Sequence, residues 1–233
     1  MKRRSMIVTL LLGVWLLGLF PASGGSGRAV AASYEFYPIN GPYGGCIRAI
    51  AVSPSYTGDG RVVVGTGNGF FMSADRGASF QALRGGLQDH SQSATSVVFA
   101  DSRTVLAATE DGLYRSQDGG AGFGYSNRGL GGDGYVTAVA LSPMAGTDGA
   151  AFAGTYLGGA WKSTDMGRSW SACIRELDGQ NVVAIAVSPA YGSDRTVVFG
   201  LETAGDIVGA WISTDGAATA SALPLSSEST GNS

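Results

Sequence analysis

The sequence predicts an all-β fold of small antiparallel sheets repeated along the chain, on the strength of three observations. A Ser-x-Asp-x-Gly-x-x-aromatic motif occurs at Ser73, Asp75, Gly77 and Phe80, at Ser116, Asp118, Gly120 and Phe123, and at Ser163, Asp165, Gly167 and Trp170, with a decayed copy beginning at Ser213 and Asp215. The leading serines lie 43, 47 and 50 residues apart, a period that belongs to stacked sheets or solenoid units rather than to one continuous core. Glycine supplies 38 of the 233 residues while charged residues make up only 14%, which suits short strands joined by tight turns.

The chain opens with Met1-Lys2-Arg3-Arg4, an apolar run from Met6 to Phe20, and small residues up to Ala32. A basic start, a roughly 15-residue apolar centre and an Ala-x-Ala site are the parts of a secretory signal, and the centre is shorter than the ~20 residues of a spanning helix. Residues 1–32 are therefore expected to be a signal peptide, an uncleaved anchor being the alternative, and the protein to be secreted or held in the cell envelope. Without Lys2, Arg3, Arg4 and Arg28, the 15 basic side chains fall to 11 against 18 acidic ones, a formal charge of −7. A phosphate backbone needs a basic face, so nucleic acid is not expected as a partner. Cys46 and Cys173 lie 127 residues apart and are expected to stay separate thiols, a bridge between them being the alternative. With His90 as the single histidine, no transition-metal ligand set is visible and no cofactor is expected.

Each repeat then reads as strands in a fixed order. Ile47 to Val52, Val136 to Leu141 and Val183 to Val187 alternate alanine with branched residues. Period-2 alternation makes a strand, and with uncharged residues at its centre both faces are expected to be buried, the alanine side fitting where neighbouring sheets converge. A turn follows, with serine and aspartate six residues apart at Ser53 and Asp59, Ser142 and Asp148, and Ser188 and Asp194. The second repeat has the shorter bend Ala100-Asp101-Ser102-Arg103 instead. Proline after each serine ends the strand, and one carboxylate per loop falls far short of the six to eight oxygens calcium takes. Second strands end at Thr66, Thr109, Thr155 and Gly200, and third strands end at Ser73, Ser116, Ser163 and Ser213. At the following hairpin the aspartate is expected to accept turn amides, glycine to supply a positive φ, and the aromatic to pack beneath.

Serine, aspartate, glycine and an aromatic at this spacing resemble the Asp-box, or bacterial neuraminidase repeat, over essentially the whole chain after residue 32. The resemblance implies a β-propeller of four-stranded antiparallel blades, as in sialidases, the sortilin propeller, xyloglucan-active hydrolases and photosystem II assembly factors. It also implies that the four aspartates hold hairpins on the rim and take no part in catalysis. Residues 33–225 are expected to hold the repeats, with blades over 46–83, 94–130, 135–177 and 181–225, and residues 226–233 to form a polar disordered tail. About four blades fit this length, so the propeller is either a closed four-blade ring or, as is favoured here, incomplete or open. Tyr34 to Ile39 and Thr219 to Leu225 compete for the outer strand of the last blade. An open arc leaves strand edges that favour self-association.

For function, the preferred expectation is an exported, non-enzymatic propeller that binds a glycan or another extracellular protein, or serves as a scaffold. Tyr43, Tyr156 and Tyr191 sit in connecting turns and are the candidate binding residues. The alternative is a glycoside hydrolase. Glu110 and Glu202 are then the carboxylate candidates, because two carboxylates flanking a sugar bond can hydrolyse it. Against that reading, the sialidase Arg-Ile-Pro motif is missing, Arg48 being followed by Ala49-Ile50. The aspartate that follows threonine in xyloglucan-active relatives is replaced by Gly67 and Tyr156 after Thr66 and Thr155.

Overall fold

The computed structural model describes residues 42, 45–87, 93–203 and 206–223. The expected signal peptide, Tyr34 to Ile39, Tyr43, His90 and the tail lie outside the described residues. The chain divides into Met1–Tyr37 and Pro38–Ser233, and the sheets all belong to the second unit.

Four antiparallel sheets of four strands succeed one another in chain order. The first holds β1 (Ile47–Val52), β2 (Val62–Thr66), β3 (Gly69–Ser73) and β4 (Gln81–Ala82). The second holds β5 (Ala94–Phe99), β6 (Val105–Thr109), β7 (Gly112–Ser116) and β8 (Phe123–Tyr125). In the third are β9 (Val136–Leu141), β10 (Ala151–Thr155), β11 (Gly159–Ser163) and β12 (Ser171–Ala172), and in the fourth β13 (Asn181–Val187), β14 (Val197–Thr203), β15 (Asp206–Ser213) and β16 (Ser221–Ala222). Each sheet is a meander paired only to sequence neighbours, so strand order equals chain order. β16 takes the outer place of the fourth sheet. β5 is harder to read in the sequence than its counterparts because Thr95 and Ser96 interrupt the small–large alternation.

The sheets pack face to face, β1 against β5, β5 against β9 and β9 against β13, and each junction is a separate apolar core. Ala49, Ala51, Val63 and Phe70 meet Val97, Phe99 and Tyr114. Leu106 and Leu113 meet Val139 and Trp170. Phe152, Ile174 and Leu177 meet Val182, Tyr191 and Phe199. These are blades of an all-β propeller whose ring is not closed: the rear face of the first blade and the forward face of the fourth have no blade against them among the described residues. Both faces of the innermost strand are covered in the middle of the array, but not at its ends. In β1, Ile47, Ile50 and Val52 are more than half exposed, and in β13, Ala184 and Ala186 are exposed, because burial there needs a neighbouring sheet rather than a local pattern. Among the described residues the open array therefore leaves two sheet faces uncovered.

The turns differ in detail from their sequence reading. Each Ser-Pro loop contains one helical turn, Tyr56–Asp59, Ala145–Asp148 and Tyr191–Asp194, closed by a left-handed residue at Gly60, Gly149 or Arg195. Ser53, Ser142 and Ser188 donate to Asp59, Asp148 and Asp194 at 2.6 to 2.7 Å. In the second blade Asp101 does the same work with fewer residues, accepting from Arg103 and Thr104 amides at 2.7 Å.

Candidate functional site

The Ser-x-Asp-x-Gly segments lie where the third strand turns into the fourth. In the first, the buried Ser73 hydroxyl donates to Asp75 at 2.7 Å and accepts the Gly77 amide at 2.7 Å, while Asp75 accepts the Ser79 amide and hydroxyl. Ser116, Asp118 and Gly120 repeat the arrangement, as do Ser163, Asp165 and Gly167. The fourth copy keeps it although Ala217 replaces glycine at φ 69°, with Asp215 accepting from the Thr219 amide and hydroxyl. Phe123 and Trp170 are buried and Phe80 is half-buried. Donors of the turn favour the charged form of these carboxylates. Asp75 is drawn down to about 2, first by the Ser79 hydroxyl. At Asp165, burial pushes upward but Ser169 and Ser163 outweigh it and hold the group at about 2. Asp118 is lowered by the Gly122 amide and the Ser116 hydroxyl, and Asp215 lies well below the ordinary range because of Thr219.

Strand register places the serine hairpins at one end of the blades and a different set of side chains at the other. Val62 pairs with Ser73 at the hairpin end and Thr66 with Gly69 at the opposite end, and the same holds for Val105 with Ser116 and Thr109 with Gly112. At this opposite end every innermost strand carries a β-bulge. The pairing skips one residue in each blade, Arg48, Thr95, Thr137 or Val183. A bulge leaves its extra residue out of the ladder and re-aims its side chain. Here it is aimed at the next blade. Thr95 Oγ1 donates to the Val136 carbonyl at 2.6 Å, Thr137 donates to the Val182 carbonyl, and Arg48 donates to Ser93 and, at 3.0 Å, to Glu110 Oε1.

The threonine ending each of the first three second strands shapes the turn beyond it. Thr66, Thr109 and Thr155 close their own turns by donating to the carbonyls of Gly69, Gly112 and Gly159, and the next residues, Gly67, Glu110 and Tyr156, are presented at this end. Tyr156 stacks on Tyr135 with ring centroids 5.6 Å apart and planes 24° apart, and its amide donates to the Tyr135 carbonyl. In the fourth blade, Asn181 Nδ2 donates to Glu202 Oε2 at 3.2 Å, while Asn181 Oδ1 is buried without a partner. Thr95, Tyr135, Thr137, Tyr156, Asn181, Val183 and Glu202 line a cavity of about 250 Å³. The Tyr135 hydroxyl is pushed above its usual range, first by burial and then by the charge of Glu110, partly offset by Arg48, with Glu202 adding to the rise.

Of the residues singled out in the sequence, Glu202 and Tyr156 line this cavity, while Glu110 is paired with Arg48 across the first and second blades at the same end. Tyr191 does neither. It is fully buried in the core between the third and fourth blades, edge-on to Phe152 at 5.7 Å, with its hydroxyl buried and unpartnered; its place in a helical turn points it inward, away from the other candidates. Tyr43 lies outside the described residues. The sequence reading missed Tyr135, Asn181 and the bulge threonines. The signal that would have found Thr95 and Thr137 is their shared offset with Arg48 at the start of each innermost strand. Cys46 and Cys173 are unpaired, and burial pushes the Cys173 thiol up to about 12. Among the described residues no three His, Cys, Asp or Glu side chains gather as a metal site, and no helix is long and apolar enough to cross a membrane.

No protein-family model and no curated protein matches this chain. Solved structures do. An ancestral GH74 enzyme aligns with a TM-score of 0.63 at 18% identity, covering 84% of this chain and 26% of its own. A GH74 xyloglucanase from Xanthomonas campestris aligns at 0.57 and 19%, covering 78% of this chain and 31% of its own. The Dos1 propeller aligns at 0.57 and 12%, covering 78% of this chain and 50% of its own. The chain thus spans between a quarter and a third of those GH74 structures and half of the Dos1 propeller. At such identities the likeness is one of fold, and that fold is the β-propeller.

Proposed function

We propose that this protein is an exported β-propeller of the Asp-box type that binds a carbohydrate, without catalysis, at the bulge end of its blades. The observation that carries the reading is the buried Asn181 Oδ1 that lacks a donor, its side chain lining the same cavity as a stacked tyrosine pair. A buried acceptor without a partner costs free energy until a ligand donor satisfies it. Sugar hydroxyls supply such donors, Glu202 accepts others, and the apolar face of a pyranose packs on an aromatic ring such as Tyr156. Export is supported by the basic start, short apolar centre and Ala-x-Ala site of residues 1–32. The GH74 likeness makes xyloglucan oligosaccharides the first ligands to try. Titration calorimetry is expected to show binding that Asn181→Ala and Tyr156→Ala each weaken at least tenfold. Equal affinity in both variants removes the site.

A second reading, glycoside hydrolysis, is favoured by one observation: a carboxylate, Glu202, lines the cavity beside Tyr135 and Tyr156. Release of reducing ends from xyloglucan that stops in Glu110→Gln and in Glu202→Gln would establish it. Binding without release, in the unaltered chain and in both variants, supports the binding module instead.

A further inference from the structure

The first and third internal junctions each join two unlike faces. Toward its successor, the innermost strand of the first blade presents Ala49 and Ala51, packed against Val97 and Phe99 of the second. The third blade repeats this with Ala138 and Ala140, which share a sheet face with Gly154 and Phe152, and Phe152 packs on Val182 and Phe199 of the fourth. At the first and third junctions a forward face with alanines on its innermost strand therefore receives a branched or aromatic rear face, whereas at the second Val98 and Leu106 meet Val139. The two ends of the array are the unmatched halves of the alanine-faced junction. At the rear of the first blade Ile50 is 59% exposed and Val52 54%, whereas Val97 and Phe99 at the corresponding places are 4% and 9% exposed. At the front of the fourth blade Ala184 and Ala186 are exposed.

A glycine sharpens the match. A Cβ on Gly65 would lie 2.7 Å from Ala94 Cβ, and one on Gly154 would lie 2.5 Å from the Val182 carbonyl oxygen, so glycine at this place admits the following blade. Gly200 occupies the corresponding place in the fourth blade, opposite Ala184, yet its nearest neighbours all belong to Ala184 of its own sheet. The third strand behaves in parallel: Met72 sits by Gly120 of the next blade's serine hairpin, Lys162 donates to Gly216 at 2.7 Å, and Ile212 holds that position in the fourth blade, half-buried and with no further hairpin beside it among the described residues.

We propose that the forward face of the fourth blade binds the rear face of the first blade of a second copy, and that the contact, made twice, closes a ring of eight blades. Such a contact joins different patches on the two partners, and it gives a finite assembly only where the rotation closes. Two copies would close a ring of eight blades, a number within the usual range for propellers. A second copy is the occupant because one chain carries both halves of the junction, with the alanine–glycine face and the branched face that the first and third junctions already use.

Pairing of these faces is independent of carbohydrate binding. Light scattering of the full chain is expected to give the mass of a dimer. Ile50→Asp and Ala186→Lys are each expected to give monomers with unchanged strand content by circular dichroism. Mixing the two variants is expected to restore a dimer, because one of its two junctions then joins unaltered faces. A monomeric unaltered chain overturns the proposal, and that measurement stands even if a variant fails to fold. A ladder of higher masses overturns closure. A dimer broken by Ile50→Asp but untouched by Ala186→Lys overturns the pairing of unlike faces, since two like rear faces would then be in contact.

Discussion

The two ends of the blades are built from the same repeat yet hold their polar groups in opposite ways. At the hairpin end, Asp75, Asp118, Asp165 and Asp215 each accept from the leading serine and from a main-chain amide of their own turn, and all but Asp118 accept a second hydroxyl as well. At the bulge end, the positions that correspond across blades are occupied by arginine, threonine, threonine and valine, and one acceptor, Asn181 Oδ1, is left open. Repetition with satisfied bonds marks the end that keeps the sheets folded. Divergence around a cavity marks the end proposed to meet a ligand, where Asn181 Oδ1 is buried without a partner; the Tyr191 hydroxyl, also buried without one, lies in the core between the third and fourth blades.

Substitutions at the two ends should therefore separate stability from binding. The largest effect is expected from Trp170→Ala. This side chain is 5% exposed and its indole donates to the Ser126 carbonyl at 2.9 Å, so chemical denaturation should show a loss of about 3–5 kcal/mol. Ser163→Ala should cost about 1–3 kcal/mol, because the buried Gly167 amide loses its acceptor. A loss below a few tenths would mean that the hairpin is not what holds this end. Removing Tyr156, exposed at 40%, should move midpoint denaturation much less than it moves sugar affinity, where a tenfold loss corresponds to about 1.4 kcal/mol. The smallest change is expected from Ala217→Gly. Relieving a left-handed alanine at φ 69° should raise stability by up to about 1 kcal/mol, which would show that the fourth hairpin is strained relative to its siblings.

Acid offers a further contrast. The hairpin aspartates titrate lower when folded than the roughly 3.9 of an unfolded chain. Their contribution to stability is thus complete above that value and is lost as pH falls toward about 2, where Asp75 and Asp165 take up protons. Denaturation midpoints are expected to be flat from neutral pH to about 4 and to fall below it. Asp165→Asn should flatten the acid limb, and an unchanged limb would assign acid sensitivity to other groups.

Much of the fold could be read from residues alone. Alternation in Ile47 to Val52 and Val136 to Leu141, the serine-led turns and the glycine content are local signals, and strands and hairpins answer to local signals. The candidate site was only partly legible. Glu110, Glu202 and Tyr156 stand out by residue type and by their place in turns. Tyr135 and Asn181, however, become meaningful only when separate blades set them beside Tyr156 and Glu202. Tyr191 shows the converse error, since a tyrosine in a connecting turn reads as surface until the packing of two blades claims it.

The repeated sheet is written in local sequence: period, turn chemistry and strand order all arise from interactions between segments close together in the chain. Tertiary structure alone decided which faces are covered. Ile50 and Val97 have similar side chains in similar strands, and one is exposed at 59% while the other is buried at 4%, because burial depends on whether another sheet stands opposite. The same holds for the proposed ligand end, where a one-residue bulge turns Arg48, Thr95 and Thr137 toward the neighbouring blade. A side chain's direction there is set by the register between strands, which no single segment encodes.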